Sequence, residues 1–322
     1  MKKLFITLAR LLGYEIIDQN NFSSPTLNKK LNEDLSILNQ KSIVLPLGEV
    51  KITRKVNSLL LVVRINTEIE IWDQNKKRLF EQPKIEYSIR SLNSLFKSID
   101  FCKKKNPNLE IKTILVDDNS SENNLNKIKN LIKNQDIEIV QLDHKKFKSV
   151  IKTQKNKETF SNLASLKQSF EIGKDRSNDL IFFLEDDYLH FESMIEEMIS
   201  SFERITSQIG EDIFMCPSDY PYLYMNNEMT NILIGNKRHW RTIKQTLCTF
   251  LTSKKLLNKH WQQFEKTCED RHDPFEKYLN EIYEKEICIS PIKSLSLHLT
   301  NVNSSYGLSP FIDFKKLWDQ NN

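Results

Sequence analysis

Glycine is scarce in this chain, with only 6 among 322 residues. No G-x-G-x-x-G and no G-x-x-x-x-G-K-[ST] occurs. That leaves no basis for a dinucleotide-binding turn or a P-loop, since both need glycines to bring backbone close to phosphate. Cysteine offers little either. Cys102, Cys216, Cys248, Cys268 and Cys288 are odd in number, widely spaced and free of any C-x-x-C pair. A zinc knuckle and a disulfide framework are thereby excluded, and a reducing, cytoplasmic setting is expected. "CEDRH" sets Cys268 four residues before His272, but two such side chains without partners make no metal site. Charge of one sign is also not in excess: 47 Lys and Arg meet 43 Asp and Glu, for a net charge of +4. Nucleic-acid binders concentrate basic residues on a dedicated face. Here "HKKFK" (144–148) has acidic neighbours, so no nucleic-acid partner is expected.

Long apolar runs are missing as well. The opening "MKKLFITLARLLGYEII" is interrupted by Arg10 and is followed by no small-residue cleavage site. It is too short to span a bilayer. Leu4, Phe5, Leu8, Leu11 and Leu12 share one helical face, with Lys2, Lys3 and Arg10 nearby for anionic lipid. Residues 1–17 therefore leave two readings open: peripheral contact at the inner face of a membrane, or a helix packed on its own protein.

What is present is a regular alternation. Residues 1–53 read as an N-terminal appendage: a short helix, the polar stretch "DQNNFSSPTLNKKLNED", then "IVLPLGEVKI" as a strand pair. From residue 54 the pattern becomes that of one larger domain. "LLLVVRI" is a continuous branched-apolar run, as in a strand covered on both faces. Ile85, Ile89, Leu92, Phe96 and Ile99 follow at helical spacing. "IKTILV" (111–116) reads as a strand, then a helix from an N-cap at Ser120 or Ser121 with Leu125, Ile128, Leu131 and Ile132 as its stripe. "IEIVQL" (137–142), a helix over about 158–172, the strand "DLIFFL" (179–184), an amphipathic helix from Phe191 to Ile205 and the strand "DIFMC" (212–216) continue the series. Strand alternating with helix predicts βαβ units and a mostly parallel central sheet flanked by helices.

Two of these buried strands stop on acids: Asp117 and Asp118 after "ILV", and Glu185, Asp186 and Asp187 after "FFL". Open α/β sheets place ligands at the carboxyl ends of their strands. Adjacent carboxylates repel unless they are solvated or neutralised. Mg²⁺ or Mn²⁺ suits such a cluster, because hard cations prefer carboxylate oxygens and bridge to substrate phosphates. The plain alternative is a turn, which Asp and Asn favour.

At these residues the chain resembles the GT-A-fold glycosyltransferases, especially the family 2 type. "ILVDDNSSENN" is similar to that family's second-strand signature, "FSNLASLKQSFEIG" (160–173) to its Asn-bearing helix, and "DLIFFLEDDY" to the strand carrying its D-x-D metal motif. "SLHLTNVNS" (296–304) is similar to the late segment in which some members place a histidine. Together these matches run from about residue 57 to 305. The resemblance implies a GT-A-type (Rossmann-like) fold with a nucleotide-binding part at about 57–190 and an acceptor-binding part at about 191–322. It also implies a UDP- or GDP-type nucleotide-diphospho-sugar donor, a glycan or lipid-linked acceptor, and inversion at the transferred sugar. Nucleotide contacts would fall to Arg64, Asp117, Asp118, Asn162 and Asp186, and metal contacts to Glu185, Asp187 and His298.

The acceptor side departs from the family, which often shows glycine pairs and a Glu-Asp base there. The nearest segment is "DRHDPFEKYL" (270–279). Asp273 is expected as the general base, with Asp270 and Glu269 as rivals. Its structural reading is a helix start, with Asp273 at N-cap, Pro274 at N1 and Glu276 at N3. His298 alternates with leucines in "LSLHL" and reads equally as a structural histidine. "KRHWR" (237–241) and "SDYPYLYM" (218–225) offer Arg238, Trp240, Arg241 and Asp219 for acceptor or phosphate contact, with ordinary loop packing as the alternative. Two other functions stay open: a nucleotidyltransferase, which "RINTEIEIWDQNKKR" disfavours for lack of glycine, and a binding protein without chemistry.

Overall fold

The computed structural model describes residues 2–14, 16, 36–39, 41–44, 48–68, 78–133, 135–153, 157–225, 227–300 and 304–322. The chain opens with α1 (Lys2–Leu11) and a small antiparallel meander of β1 (Ser36–Ile37), β2 (Lys41–Val44) and β3 (Gly48–Lys51). The expected polar stretch at 18–34, and the tip of the expected strand pair at 45–47, lie outside the described residues. The alternation then follows as β4 (Ser58–Ile65), α2 (Lys84–Lys105), β5 (Glu110–Asp117), α3 (Glu122–Ile132), β6 (Ile137–Gln141), α4 (His144–Phe147), α5 (Lys157–Arg176) and β7 (Leu180–Glu185). Ser121 is the N-cap of α3 and accepts from the Asn124 backbone N–H.

The second half holds β8 (Tyr188–His190), α6 (Met194–Ile209), β9 (Phe214–Met215), β10 (Ile232–Ile234), β11 (His239–Thr242) and β12 (Phe250–Ser253). It closes with α7 (Lys254–Lys259), α8 (Trp261–Glu269), α9 (Lys277–Tyr283), β13 (Cys288–Ile292), β14 (Ser296–His298) and α10 (Phe314–Asp319). Among the described residues nine strands form one sheet in the order β10-β11-β13-β9-β12-β7-β4-β5-β6. The run β7-β4-β5-β6 is parallel throughout, and β9-β13 is parallel too. β12, β11 and β10 pair antiparallel, so the other half of the sheet is mixed. "DIFMC" narrows to the two residues of β9.

The continuous apolar run of β4 is explained by its two covered faces. Leu59, Leu61, Val63 and Ile65 join the core under α2 and α6, while Leu60 and Val62 join the one under α5. Gly173 in α5 lets that helix approach the sheet: a Cβ there would meet the Phe183 ring at 2.7 Å. Clearing such a contact would push helix and strand apart.

The meander is tied to α6. The Asn39 and Val56 backbone N–H groups donate to the two oxygens of Glu203 at 3.0 and 2.8 Å, and Leu38 enters the main core. α1 behaves differently. Leu4, Phe5, Leu8 and Leu11 are all more than half exposed, so the reading of a helix packed on its own protein does not hold for this face. Among the described residues no helix is long and apolar enough to cross a membrane.

Candidate active site

The register of the parallel strands sets the site. Arg64 on β4 lies opposite Glu185 on β7, and Ile65 lies opposite Asp117 on β5. The three strands thus end level, and Asp118, Glu185, Asp186 and Asp187 just at or past their ends line one crevice, whereas Asp117 lines none.

The acidic triplet then divides. Asp186 turns to α2, where the Lys84 ammonium and the Ser88 hydroxyl donate to its two oxygens, with the Asn66 backbone N–H at 3.3 Å. The site expected to touch nucleotide is therefore anchored by the protein itself. Glu185 and Asp187 face the other way. The Arg64 guanidinium bridges Glu185, and also donates to Asn162 Oδ1 at 2.7 Å and Ser165 Oγ at 3.3 Å. Burial pushes the Glu185 carboxyl above the usual carboxylate range, against the pull of Arg64.

His298 arrives from far along the chain through a two-stranded ladder. β14 pairs antiparallel with β8, putting His298 opposite Tyr188, and the Leu299 N–H donates to the Asp187 carbonyl at 2.8 Å. The imidazole stacks on the Tyr188 ring, with centroids 4.6 Å apart and planes 8° apart. Its Nδ1 is 2.8 Å from the Tyr306 carbonyl, which can only accept, so Nδ1 carries the hydrogen. Nε2 is left facing Asp187 at 3.4 Å. Burial alone would lower the imidazole pKa, but Asp187 outweighs it and raises it. The same partner holds Asp187 well below the usual carboxylate range despite burial.

Glu185, Asp187 and His298 each present one ligand atom, all within 4.8 Å of one another. Asp187 Oδ1 is buried with no hydrogen-bond partner among the described residues. Two carboxylate oxygens and one imidazole nitrogen, with an orphaned oxygen among them, fit a divalent cation. Mn²⁺ accepts such a mixed set more readily than Mg²⁺, which favours oxygen throughout.

Of the remaining two acids, Asp118 sits at one end of the crevice and Asp117 lies outside its lining. Asp117 is fully buried, and burial raises its carboxyl above the usual range. Asp118 accepts from Ser161 Oγ at 2.8 Å and Asn66 Nδ2 at 3.1 Å, with His144 Nε2 at 3.0 Å. A cavity of about 330 Å³ runs from Asp118 past Asn162, Arg64 and Lys84 to Glu185 and Asp187, with Arg78 on its wall. A larger cavity, about 820 Å³, adjoins it and shares Asn162 and His298; its walls include His272, Asp273, Phe275 and Tyr306.

Asp273 is exposed on that wall, but it caps no helix. α9 begins only at Lys277, with Glu276 at the N-cap position, because the Glu276 carboxylate is used elsewhere. It is buried and accepts from the backbone N–H groups of Thr246, Leu247 and Cys248 and from the Thr246 hydroxyl. Leu247 and Cys248 have φ of 53° and 57°, a left-handed pair whose N–H groups converge on one anion. Glu276 therefore fixes the loop that lines the crevice beside Asp273. Sequence spacing gave no sign of this; the residue matched a capping box. Lys84, Ser88 and Tyr188 were equally hidden, since each is an ordinary residue of its own element.

The rivals of Asp273 are occupied. Asp270 accepts from the Thr153 hydroxyl and the Arg271 N–H, and Glu269 faces Lys152 at 3.4 Å.

The four acceptor-contact residues do not join the crevice. β11 lies inside the sheet between β10 and β13, which buries Trp240 completely in the main core. Arg241 forms a buried ion pair with Asp219 and lies over the Tyr224 ring at 4.2 Å. Arg238 donates to the Lys293 carbonyl at 2.7 Å. None of the four lines either cavity.

No protein-family model matches the chain, and no curated protein sequence does. Solved structures similar to it include residues 1–349 of S. aureus TarS, at 12% identity and a TM-score of 0.42, covering 72% of this chain and 57% of that one. The galactosyltransferase LgtC in complex with donor and acceptor sugar analogues matches at 12% identity and a TM-score of 0.38, covering 72% of each chain. An inositol-1-phosphate CTP transferase from T. maritima matches at 11% identity and a TM-score of 0.41, covering 83% of this chain and 96% of that one. The chain thus spans little more than half of the TarS fragment.

Proposed function

We propose that this protein is a glycosyltransferase, moving a sugar from a UDP- or GDP-type nucleotide-diphospho-sugar to a hydroxyl of a glycan or lipid-linked saccharide. The observation that carries this reading is the trio of Glu185 and Asp187, at the end of parallel β7, with His298 from β14, facing one crevice with Arg64, Lys84 and Arg78. A metal-ligand trio beside cationic side chains is chemistry for a diphosphate.

Glu185, Asp187 and His298 would hold Mn²⁺ or Mg²⁺, which supplies charge stabilisation to a departing diphosphate. Asn162 orients Arg64 toward the crevice, and Asp118 with its Ser161 and His144 partners forms the end suited to the nucleoside. Asp273 accepts the proton of the acceptor hydroxyl as that oxygen bonds to the anomeric carbon. The carbon–phosphate-oxygen bond breaks, and the nucleoside diphosphate leaves with the electron pair. Attack from the face opposite the leaving group inverts the anomeric centre.

The test is hydrolysis and transfer with a panel of UDP- and GDP-sugars, with Mn²⁺ and after chelation. Metal-dependent release of a nucleoside diphosphate supports the proposal. Release of pyrophosphate from a nucleoside triphosphate would assign a nucleotidyltransferase instead.

A further inference from the structure

α1 carries an apolar face that the rest of the described structure does not cover. Leu4 is 71% exposed, Phe5 66%, Leu8 57%, Leu11 81% and, just past the helix, Leu12 69%. At 100° per residue these five side chains fall within an arc of roughly 120°. Tyr14 and Ile16, at 72% and 48% exposed, extend the same apolar character beyond the helix. A single exposed leucine needs no explanation, but five on one stripe do.

Charge says what covers it. The helix itself, Lys2–Leu11, contains Lys2, Lys3 and Arg10 and no Asp or Glu, and Glu15 is the first acid after it. The whole chain is nearly balanced, with 47 basic and 43 acidic residues, so a stretch of one sign at the apolar helix is a local feature. A second copy of this helix would bring like charges together. An anionic surface with an apolar interior satisfies both properties at once.

We propose that α1 lies in the interface of a membrane rich in anionic lipid and holds the protein there. This goes beyond the transferase reading and does not depend on it. The short helix gives weak, reversible attachment: the apolar stripe inserts at the acyl boundary while the basic residues meet headgroups. Such attachment is salt-sensitive, because exposed charges are screened over about 10 Å at 0.1 M salt.

The experiment is flotation of the full chain with phosphatidylglycerol/phosphatidylcholine vesicles and with pure phosphatidylcholine vesicles, at low and high salt. The double substitution Phe5→Ser, Leu8→Ser is compared with the unaltered protein, and thermal unfolding checks that both are equally folded. The expected result is binding to anionic vesicles only, weakened at high salt and reduced at least tenfold by the double substitution. Equal binding to both vesicle types, no binding to either, or binding unchanged by the substitution would overturn it. So would a concentration-dependent dimer in light scattering that the double substitution abolishes, since a second copy would then be the occupant.

Discussion

The imidazole of His298 stands 3.4 Å from the carboxylate of Asp187, with the Tyr188 ring stacked against its face. Two residues far apart in the sequence are thus fixed by one short ladder, β8 with β14. The hydrogen on Nδ1 is committed to the Tyr306 carbonyl, so Nε2 is the atom offered to a cation. His298→Ala should therefore weaken Mn²⁺ affinity by about 10- to 100-fold while the α/β core stays folded. Titration calorimetry with Mn²⁺ alone reads this directly; unchanged affinity would remove His298 from the metal set.

Asp273 is freed from its capping role by the late start of α9, which simplifies its test. As an exposed residue outside any cap, both Asp273→Asn and Asp273→Ala should leave stability within about 0.5 kcal/mol. Both should slow turnover by at least about a hundredfold, as loss of a general base does. A turnover that survives either substitution would remove Asp273 from the mechanism.

Glu276→Gln puts an amide N–H among three backbone donors that now share a carboxylate. One buried hydrogen bond at least is lost, for a cost of about 1–3 kcal/mol. Thermal unfolding should show a lowered Tm, and turnover should fall as well because the 246–248 loop lines the crevice. Loss of stability without loss of turnover would confine Glu276 to the fold.

Two buried groups make stability depend on pH in opposite directions. Burial lowers the His190 pKa from the ordinary 6.5 to about 3. Its neutral form contributes stability above pH 6.5 that is lost as pH falls toward 3. Glu197 is pushed up by burial from 4.5 to about 7, so its contribution is complete below pH 4.5 and is lost as pH rises through 7. His190→Gln should flatten the acid limb between pH 6.5 and 3, and Glu197→Gln the slope between 4.5 and 7. Each change is at most about 1.4 kcal/mol per pH unit, the value for one proton. Urea midpoints across that range measure both.

The parallel half of the sheet was legible because each strand is buried on two faces, and such strands read as unbroken apolar runs. The acids at the ends of β5 and β7 were legible for the same reason: a carboxylate directly after such a run has to sit at a strand end. Which way each acid points was not. Glu185 and Asp187 face the crevice while Asp186 is taken by Lys84, and only the fold decides where Lys84 lies. "KRHWR" suggested ligand contact by its Arg and Trp types, whereas Trp240 and Arg241 lie on an interior strand, Arg241 pairs with Asp219, and Arg238 donates to a backbone carbonyl. "DPFE" misled because a local capping pattern competes with a long-range demand, and the loop at 246–248 won Glu276.

The most direct test of the account is nucleotide binding by the unaltered protein and by Asp187→Asn, titrated with UDP, GDP and their sugar conjugates with and without Mn²⁺. Asn keeps the size of the side chain and removes the charge a cation needs. The account predicts that the unaltered protein binds one of these nucleotides tightly only when Mn²⁺ is present, and that Asp187→Asn binds it weakly and equally with or without the metal. Binding that ignores Mn²⁺ in the unaltered protein, or that keeps its metal dependence in Asp187→Asn, would contradict it.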